Sequence, residues 1–177
     1  DDNFMPIIAN AGIIVENEKI IKIGDFNSLK QEGHEILEIS SPSIVLPGFI
    51  DCHTHICFAG SRSHDFTDRL RGISYQEILS RGGGIFDTVD KTRKTSKEKL
   101  TNGLLERCNR QLRQGITTCE VKSGYGLSIA DELKMLRSIQ QAQSKTPLSL
   151  IPTCLAAHVL PKEFSNHQDY LSHIIKE

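Results

Sequence analysis

The chain has 177 residues, 38% of them hydrophobic, and a formal net charge of −1. That is about one domain's worth of sequence with enough apolar residues for a core. Its Lys and Arg are spread out, which leaves no basic footprint for nucleic acid or an anionic membrane. No apolar run approaches the length of a membrane-crossing helix.

The five cysteines are odd in number and lie in or beside apolar runs (Cys52, Cys57, Cys119, Cys154) or in a helical segment (Cys108). The expectation is buried free thiols in a reducing, cytoplasmic setting rather than disulfides. Asp1 to Met5 lacks a basic region followed by an apolar one, so no signal peptide is read there. The missing initiator Met points to a chain that begins inside a longer sequence.

Residues 7–23 are β-rich runs broken at Glu16-Asn17-Glu18 and ended by Gly24-Asp25, the pattern of a hairpin. Residues 27–33 read as a short helix or turn, and 34–40 as another strand. Residues 1–45 are therefore expected to form a small β unit, part of a composite β-sandwich.

The apolar run from Ile44-Val45-Leu46 through Phe49-Ile50 reads as a buried strand. It leads into Asp51-Cys52-His53-Thr54-His55. Side chains at i and i+2 of a strand share a face. His53 and His55 can therefore set two imidazole nitrogens on one metal ion. Imidazole suits zinc and iron alike, so the pair does not choose between them. A zinc-finger reading of Cys52, His53, His55 and Cys57 fails. Structural zinc sites take two ligand pairs separated by a longer segment, and these four crowd into one stretch.

Residues 56–73 show no sustained period and read as a long loop carrying Arg62, His64, Asp65, Asp68, Arg69 and Arg71. Ser74-Tyr75-Gln76-Glu77 resembles a capping box opening a short helix. Gly82-Gly83-Gly84 follows. No Lys-Ser/Thr comes after it, which excludes a P-loop, and the glycines are expected to supply positive φ or close backbone approach.

Ser96 to Gln114 is an amphipathic helix with Leu100, Leu104, Leu105, Cys108 and Leu112 at helical spacing, closed by Gly115. Residues 116–122 form a strand and 123–126 a loop. Ser128 to Gln143 is a helix with Leu133, Leu136 and Ile139 on its apolar face. Leu148 to Ala157 is a strand ending at His158, and a last helix runs from near Glu163 to the end. His167 and His173 fall in it, six residues apart in the sequence, and read as surface residues.

Strands alternating with helices mean parallel βαβ units. Each strand ends in polar residues: His53 and His55, then Glu120 and Lys122, then His158. Such placement belongs to the C-terminal mouth of a parallel barrel. A complete (β/α)8 barrel takes ~250 residues. The expected fold class is therefore α/β: the N-terminal part of a TIM-like barrel, about three βα units over residues 46–177, behind the small β unit.

Leu46-Pro47-Gly48-Phe49-Ile50-Asp51 with His53-Thr54-His55 looks like the first barrel strand of the amidohydrolase superfamily. Several segments are more specific: Phe58-Ala59-Gly60-Ser61-Arg62, Gly72-Ile73-Ser74-Tyr75-Gln76-Glu77-Ile78, Gly82-Gly83-Gly84-Ile85, Thr88-Val89 with Thr92-Arg93, Glu120 through Leu127, and Glu132 through Arg137. Together, from about residue 10 to 164, they closely resemble imidazolonepropionase, the amidohydrolase that opens an imidazolone ring in histidine degradation.

The resemblance implies one divalent metal, zinc or iron, with His53 and His55 among its ligands. It implies Arg62 as anchor for a substrate propanoate, Tyr125 as hydrogen-bond donor, His158 as a ring or carbonyl contact, and Tyr75 as a weaker substrate contact. It also implies a homodimer, and a general base and further ligands from later strands. The substrate would be 4-imidazolone-5-propanoate and the product N-formimidoyl-L-glutamate. On these 177 residues alone, little metal affinity and no turnover are expected. Lys122 is read as structural and paired with Glu120, not as a metal-bridging lysine. Ala156 departs from the glycine more usual there, beside His158.

Plainer roles stand next to these: a solvated Arg62, a Tyr125 packed over its glycine loop, a satisfied buried His158. Two other functions stay open. One is another cyclic-amide hydrolase or a heterocycle deaminase, which would not favour an anionic substrate tail. The other is a non-catalytic assembly protein on the same scaffold.

Overall fold

The computed structural model describes residues 7–30 and 35–176. They divide between Leu46 and Pro47 into two compact units. The first holds an antiparallel hairpin, β1 (Ala11–Glu16) and β2 (Lys19–Asp25), followed by one turn of helix, α1 (Phe26–Leu29). Asn17 and Glu18 carry the tight turn at positive φ (49° and 63°), the twist that suits a two-residue hairpin loop. Asp25 caps α1 by accepting the Ser28 N–H. The strand expected at 34–40 does not form over residues 35–40, and residues 31–34 lie outside the described set. Ile36, Leu37 and Ile39 are exposed. An apolar run becomes a strand only where a neighbouring strand takes up its N–H and C=O groups.

The second unit is α/β with a parallel three-stranded sheet in the order β3-β4-β5. Its elements are β3 (Phe49–Asp51), α2 (Ser63–Leu70), α3 (Tyr75–Ser80), α4 (Ile85–Lys94), α5 (Lys97–Arg113), β4 (Ile116–Lys122), α6 (Ile129–Gln143), β5 (Ser149–Thr153) and α7 (His167–Lys176). Both ladders are parallel and joined through helices, as the alternation of periods requires. The β4 strand alternates. Cys119 and Val121 are buried, while Thr118, Glu120 and Lys122 occupy the other face, half-buried. The buried face packs with Leu150 against Leu104 and Cys108 of α5 and Met135, Ile139 and Ala142 of α6.

Several expectations need correction. The run from Ile44 is not a buried strand: only Phe49–Asp51 pairs, and Phe49 and Ile50 are 55% and 71% exposed. Pro47 has no N–H to give a ladder, and Gly48 runs so close to Thr117 that a Cβ would fall 2.0 Å from its Oγ1. Residues 63–70 are helix, not loop. Only Asp65 of α2 is buried, so the helix carries no apolar stripe to read. A further helix, α4, buries Thr88, Val89 and Thr92. On α6 the buried face is Glu132, Met135, Ser138, Ile139 and Ala142, while Leu133 is 41% exposed.

The last strand stops at Thr153 instead of Ala157, because Leu155 N–H turns to the Ser123 hydroxyl at 3.0 Å. The final helix starts at His167, where Asn166 accepts the Asp169 N–H. All five cysteines are free. Cys57, Cys108 and Cys119 are buried as expected, but Cys52 and Cys154 are exposed.

The helix caps are as read. Ser74, Ser96 and Ser128 each accept the N–H three residues on. Gly82 and Gly84 adopt positive φ, and at Gly83 a Cβ would meet the Asp65 carboxylate at 2.6 Å.

Candidate active site

Past Asp51 the chain runs on beside β4 without forming regular strand. Lys122 N–H donates to Thr54 C=O at 3.0 Å. The buried Thr54 hydroxyl donates to Glu120 C=O. Thr54 thus pins the segment between the two histidines to the end of β4. His53 and His55 ring centroids lie 5.5 Å apart.

Two further loops converge there. The 123–127 loop after β4 brings Tyr125, with its ring 5.8 Å from His55. The turn after β5 brings His158, stacked on His55 at 5.0 Å and 5.7 Å from Tyr125. His158 Nδ1 lies 3.2 Å from Gly124 C=O. A carbonyl only accepts, so Nδ1 carries the proton in this contact. Behind Tyr125, Phe58 meets it edge-on at 6.5 Å, and the Arg107 guanidinium caps Phe58 from 3.7 Å.

Charge follows the same geometry. Burial holds His55 below the ordinary histidine value, with His158, His53 and Lys122 adding to the effect. It is therefore neutral at neutral pH, the form that ligates metal. Glu120 is held below the ordinary carboxylate value, chiefly by the Lys122 ammonium 2.6 Å away and then by the Thr153 hydroxyl. The expected Glu120–Lys122 pair is therefore present. Burial raises the Tyr125 phenol, and the Arg62 charge pulls against it.

The structure thus brings together His53, His55, Tyr125 and His158, with Arg62 in electrostatic reach of the tyrosine. Arg62 is exposed and immediately precedes α2. Tyr75 stands apart from the ring cluster: it opens α3, half-exposed, with its hydroxyl beside Gly84.

Residues 44–149 match the amidohydrolase family. The chain belongs to that family. It is 45% identical to the imidazolonepropionase of Acinetobacter baumannii over 96% of its own length and 43% of the relative's. The corresponding figures are 45%, 93% and 41% for the Vibrio cholerae imidazolonepropionase, and 44%, 92% and 40% for that of Yersinia enterocolitica. The chain spans about two fifths of the length of these curated relatives. The likeness to imidazolonepropionases read from the residues is borne out.

For an amidohydrolase, the test is whether these side chains suit a metal. His55 Nδ1 is buried and has no hydrogen-bond partner. In the tautomer protonated on Nε2, this unpartnered Nδ1 carries a free lone pair, which is what ligates a metal. The two imidazoles fit a borderline divalent metal as part of its donor set. They do not complete it: among the described residues, no group of three or more His, Cys, Asp or Glu is placed to hold a metal.

Two residues of the site were not singled out from the sequence. Thr54 was passed over between its histidines, although a β-branched hydroxyl at that point is a natural strand-end tie. Glu132 lies five residues past Leu127 and governs the Tyr125 loop. Its only sequence signal was membership in a segment matching the family.

Proposed function

We propose that this chain forms part of a metal-dependent hydrolase that opens the ring of 4-imidazolone-5-propanoate to N-formimidoyl-L-glutamate, a step in histidine degradation. One observation carries the reading. Two adjacent imidazoles, a third histidine and a buried tyrosine converge beside the ends of parallel strands, in a chain 45% identical to an imidazolonepropionase over 96% of its length.

In this reading His53 and His55 hold one divalent metal, zinc or iron. Bound there, such an ion would supply Lewis acidity and an activated water at neutral pH. Arg62 binds the propanoate, for which a planar guanidinium offers a bidentate fork. Tyr125 donates a hydrogen bond to the substrate. His158, with Nδ1 committed to Gly124, offers Nε2 to the ring or its carbonyl. Tyr75 is a further substrate contact. Fixing the ring between these groups is the entropic part of the catalysis.

The net reaction adds one water and breaks one ring C–N bond. The remaining ligands and the general base belong to the part of the relatives' length that this chain does not span. On the same reading, residues 46–177 are the first part of a (β/α)8 barrel and residues 1–45 part of a β-sandwich. The protein is a cytoplasmic homodimer.

The test is an assay of the full-length protein with the imidazolone, following loss of ring absorbance and identifying the product by mass. Formation of N-formimidoyl-L-glutamate supports the reading. Ammonia release from a heterocycle, with no turnover of the imidazolone, would make the protein a deaminase instead.

A further inference from the structure

The Glu132 carboxylate is 4% exposed and pairs with no cation among the described residues. Its charge is met by backbone. Oε1 accepts the Gly126 and Leu127 N–H groups at 2.7 and 2.8 Å, and Oε2 accepts the Gly124 N–H at 2.9 Å. Gly124 and Leu127 stand at positive φ (105° and 52°). The 123–127 loop is therefore a concave nest of N–H dipoles closed around an internal anion. Glu132 also lies in the first turn of α6, where the helix dipole favours a negative charge.

Further polar groups of the loop are tied as well. Ser123 N–H donates to Thr153 C=O at 2.9 Å, its hydroxyl accepts Leu155 N–H, and Arg93 Nε donates to Gly126 C=O at 2.6 Å. What the loop presents to the site is Tyr125 and the Gly124 carbonyl that fixes His158. There is no slack between Gly124 and the histidine: a Cβ on Gly124 would lie 2.8 Å from Leu155 C=O and 3.0 Å from His158 Cβ.

We propose that Glu132 is a positioning residue of the site: through the three N–H groups it clamps, it sets both the Tyr125 ring and the His158 imidazole. It touches no substrate itself. This rests on the ring-opening reading for its kinetic consequence, though not for its structural one. A Gln at this position keeps the shape, but its NH2 end cannot accept, so one side of the clamp opens. An Asp keeps both acceptors on a shorter arm.

The experiment compares wild type, Glu132→Gln, Glu132→Asp and Leu133→Ala in the full-length protein, the last altering an exposed neighbour on the same helix. Hydrogen exchange of the 123–127 amides is read against exchange in α5, and kcat and KM are measured on the imidazolone.

The expected result in Glu132→Gln is faster exchange on the side of the clamp that loses its acceptor, Gly124 or the Gly126 and Leu127 pair, with α5 unchanged. The kcat of this variant should drop roughly ten- to a hundredfold, the scale of a small misplacement of reacting groups, with KM little changed. Glu132→Asp should recover part of the loss, and Leu133→Ala should match wild type. If Glu132→Gln does not fold, Glu132→Asp carries the same two readings in weaker form. Unchanged exchange at the three amides, or exchange that rises equally in α5, overturns the proposal. So does a Glu132→Gln variant whose kcat stays at wild type. If wild type itself does not open the imidazolone, the functional reading fails separately, and the local exchange still decides the clamp.

Discussion

Residues do different work here at positions that look alike in the sequence. His53 and His55 are two apart, yet His53 is exposed while His55 is half-buried and stacked on His158. On the proposed reading, replacing either by Ala should lower the metal content of the purified full-length protein well below one per chain by elemental analysis. Unchanged metal would remove both from the ligand set. Arg62 is the only cation invoked for the substrate carboxylate. Loss of a charge-assisted hydrogen bond of ~1.5–3 kcal/mol should raise KM for Arg62→Ala by about ten- to a hundredfold, with kcat much less affected. A KM at wild-type level would leave Arg62 a solvated surface residue. The thiols divide in the same local way. Burial pushes Cys57 up to about 12 and Cys108 up to about 11, and thiolate is the reactive form. Peptide mapping after brief alkylation of native protein near neutral pH should find Cys52 and Cys154 modified and Cys57, Cys108 and Cys119 spared. Rapid labelling of Cys57 would contradict its burial.

At the scale of elements, caps and loop ties decide where the site begins. Ser128 accepts the Asp131 N–H at 3.2 Å and donates to the Asp131 carboxylate at 2.8 Å. It starts α6 so that Glu132 comes round to the Tyr125 loop. Ser128→Ala should cost about 1 kcal/mol, seen as a lower thermal midpoint. An unchanged midpoint would mean the helix start is held by the Glu132 clamp alone. The strand ends couple to pH through Glu120, whose folded value is depressed below the ordinary 4.5. A depressed carboxylate adds stability that is complete above its unfolded value and disappears as pH falls through the folded one. Thermal midpoints taken from neutral pH down through the carboxylate range should therefore fall less steeply in Glu120→Gln than in wild type. Parallel curves would assign the acid sensitivity elsewhere.

At the scale of the whole molecule, the parallel sheet is open. Among the described residues β3 and β5 each pair only with β4. Phe49, Ile50 and Ile151 remain exposed. Unpaired strand edges with apolar side chains promote association. The 177-residue chain by itself should therefore show concentration-dependent self-association in sedimentation. With an incomplete donor set it should hold metal weakly and show no turnover. A monodisperse chain with one tightly held metal, or measurable ring opening, would overturn the view that the site is completed by residues outside this chain.

Composition, period and capping were enough to determine the alternation of helix and strand from Ser96 on, the hairpin turn at Asn17-Glu18, the start of each Ser-capped helix and the span of β4. These depend on neighbours in the sequence: a Ser side chain reaching an N–H three residues on, or a pleat repeating every two. The family likeness was legible for a related reason, since its motifs are short local strings. Tertiary structure alone decided the rest. The exposure of Ile44 to Ile50 and the absence of a strand over 35–40 follow from which partners reach those backbones. The short β5 follows from a single hydroxyl, Ser123, that diverts Leu155 from the ladder. That Tyr125 and His158 meet His55, and that a buried Glu132 holds the loop between them, depends on three segments far apart in sequence closing on one point. No spacing rule encodes such a meeting, because the side chains are brought together by the packing of α5 and α6 against the sheet and not by their positions along the chain.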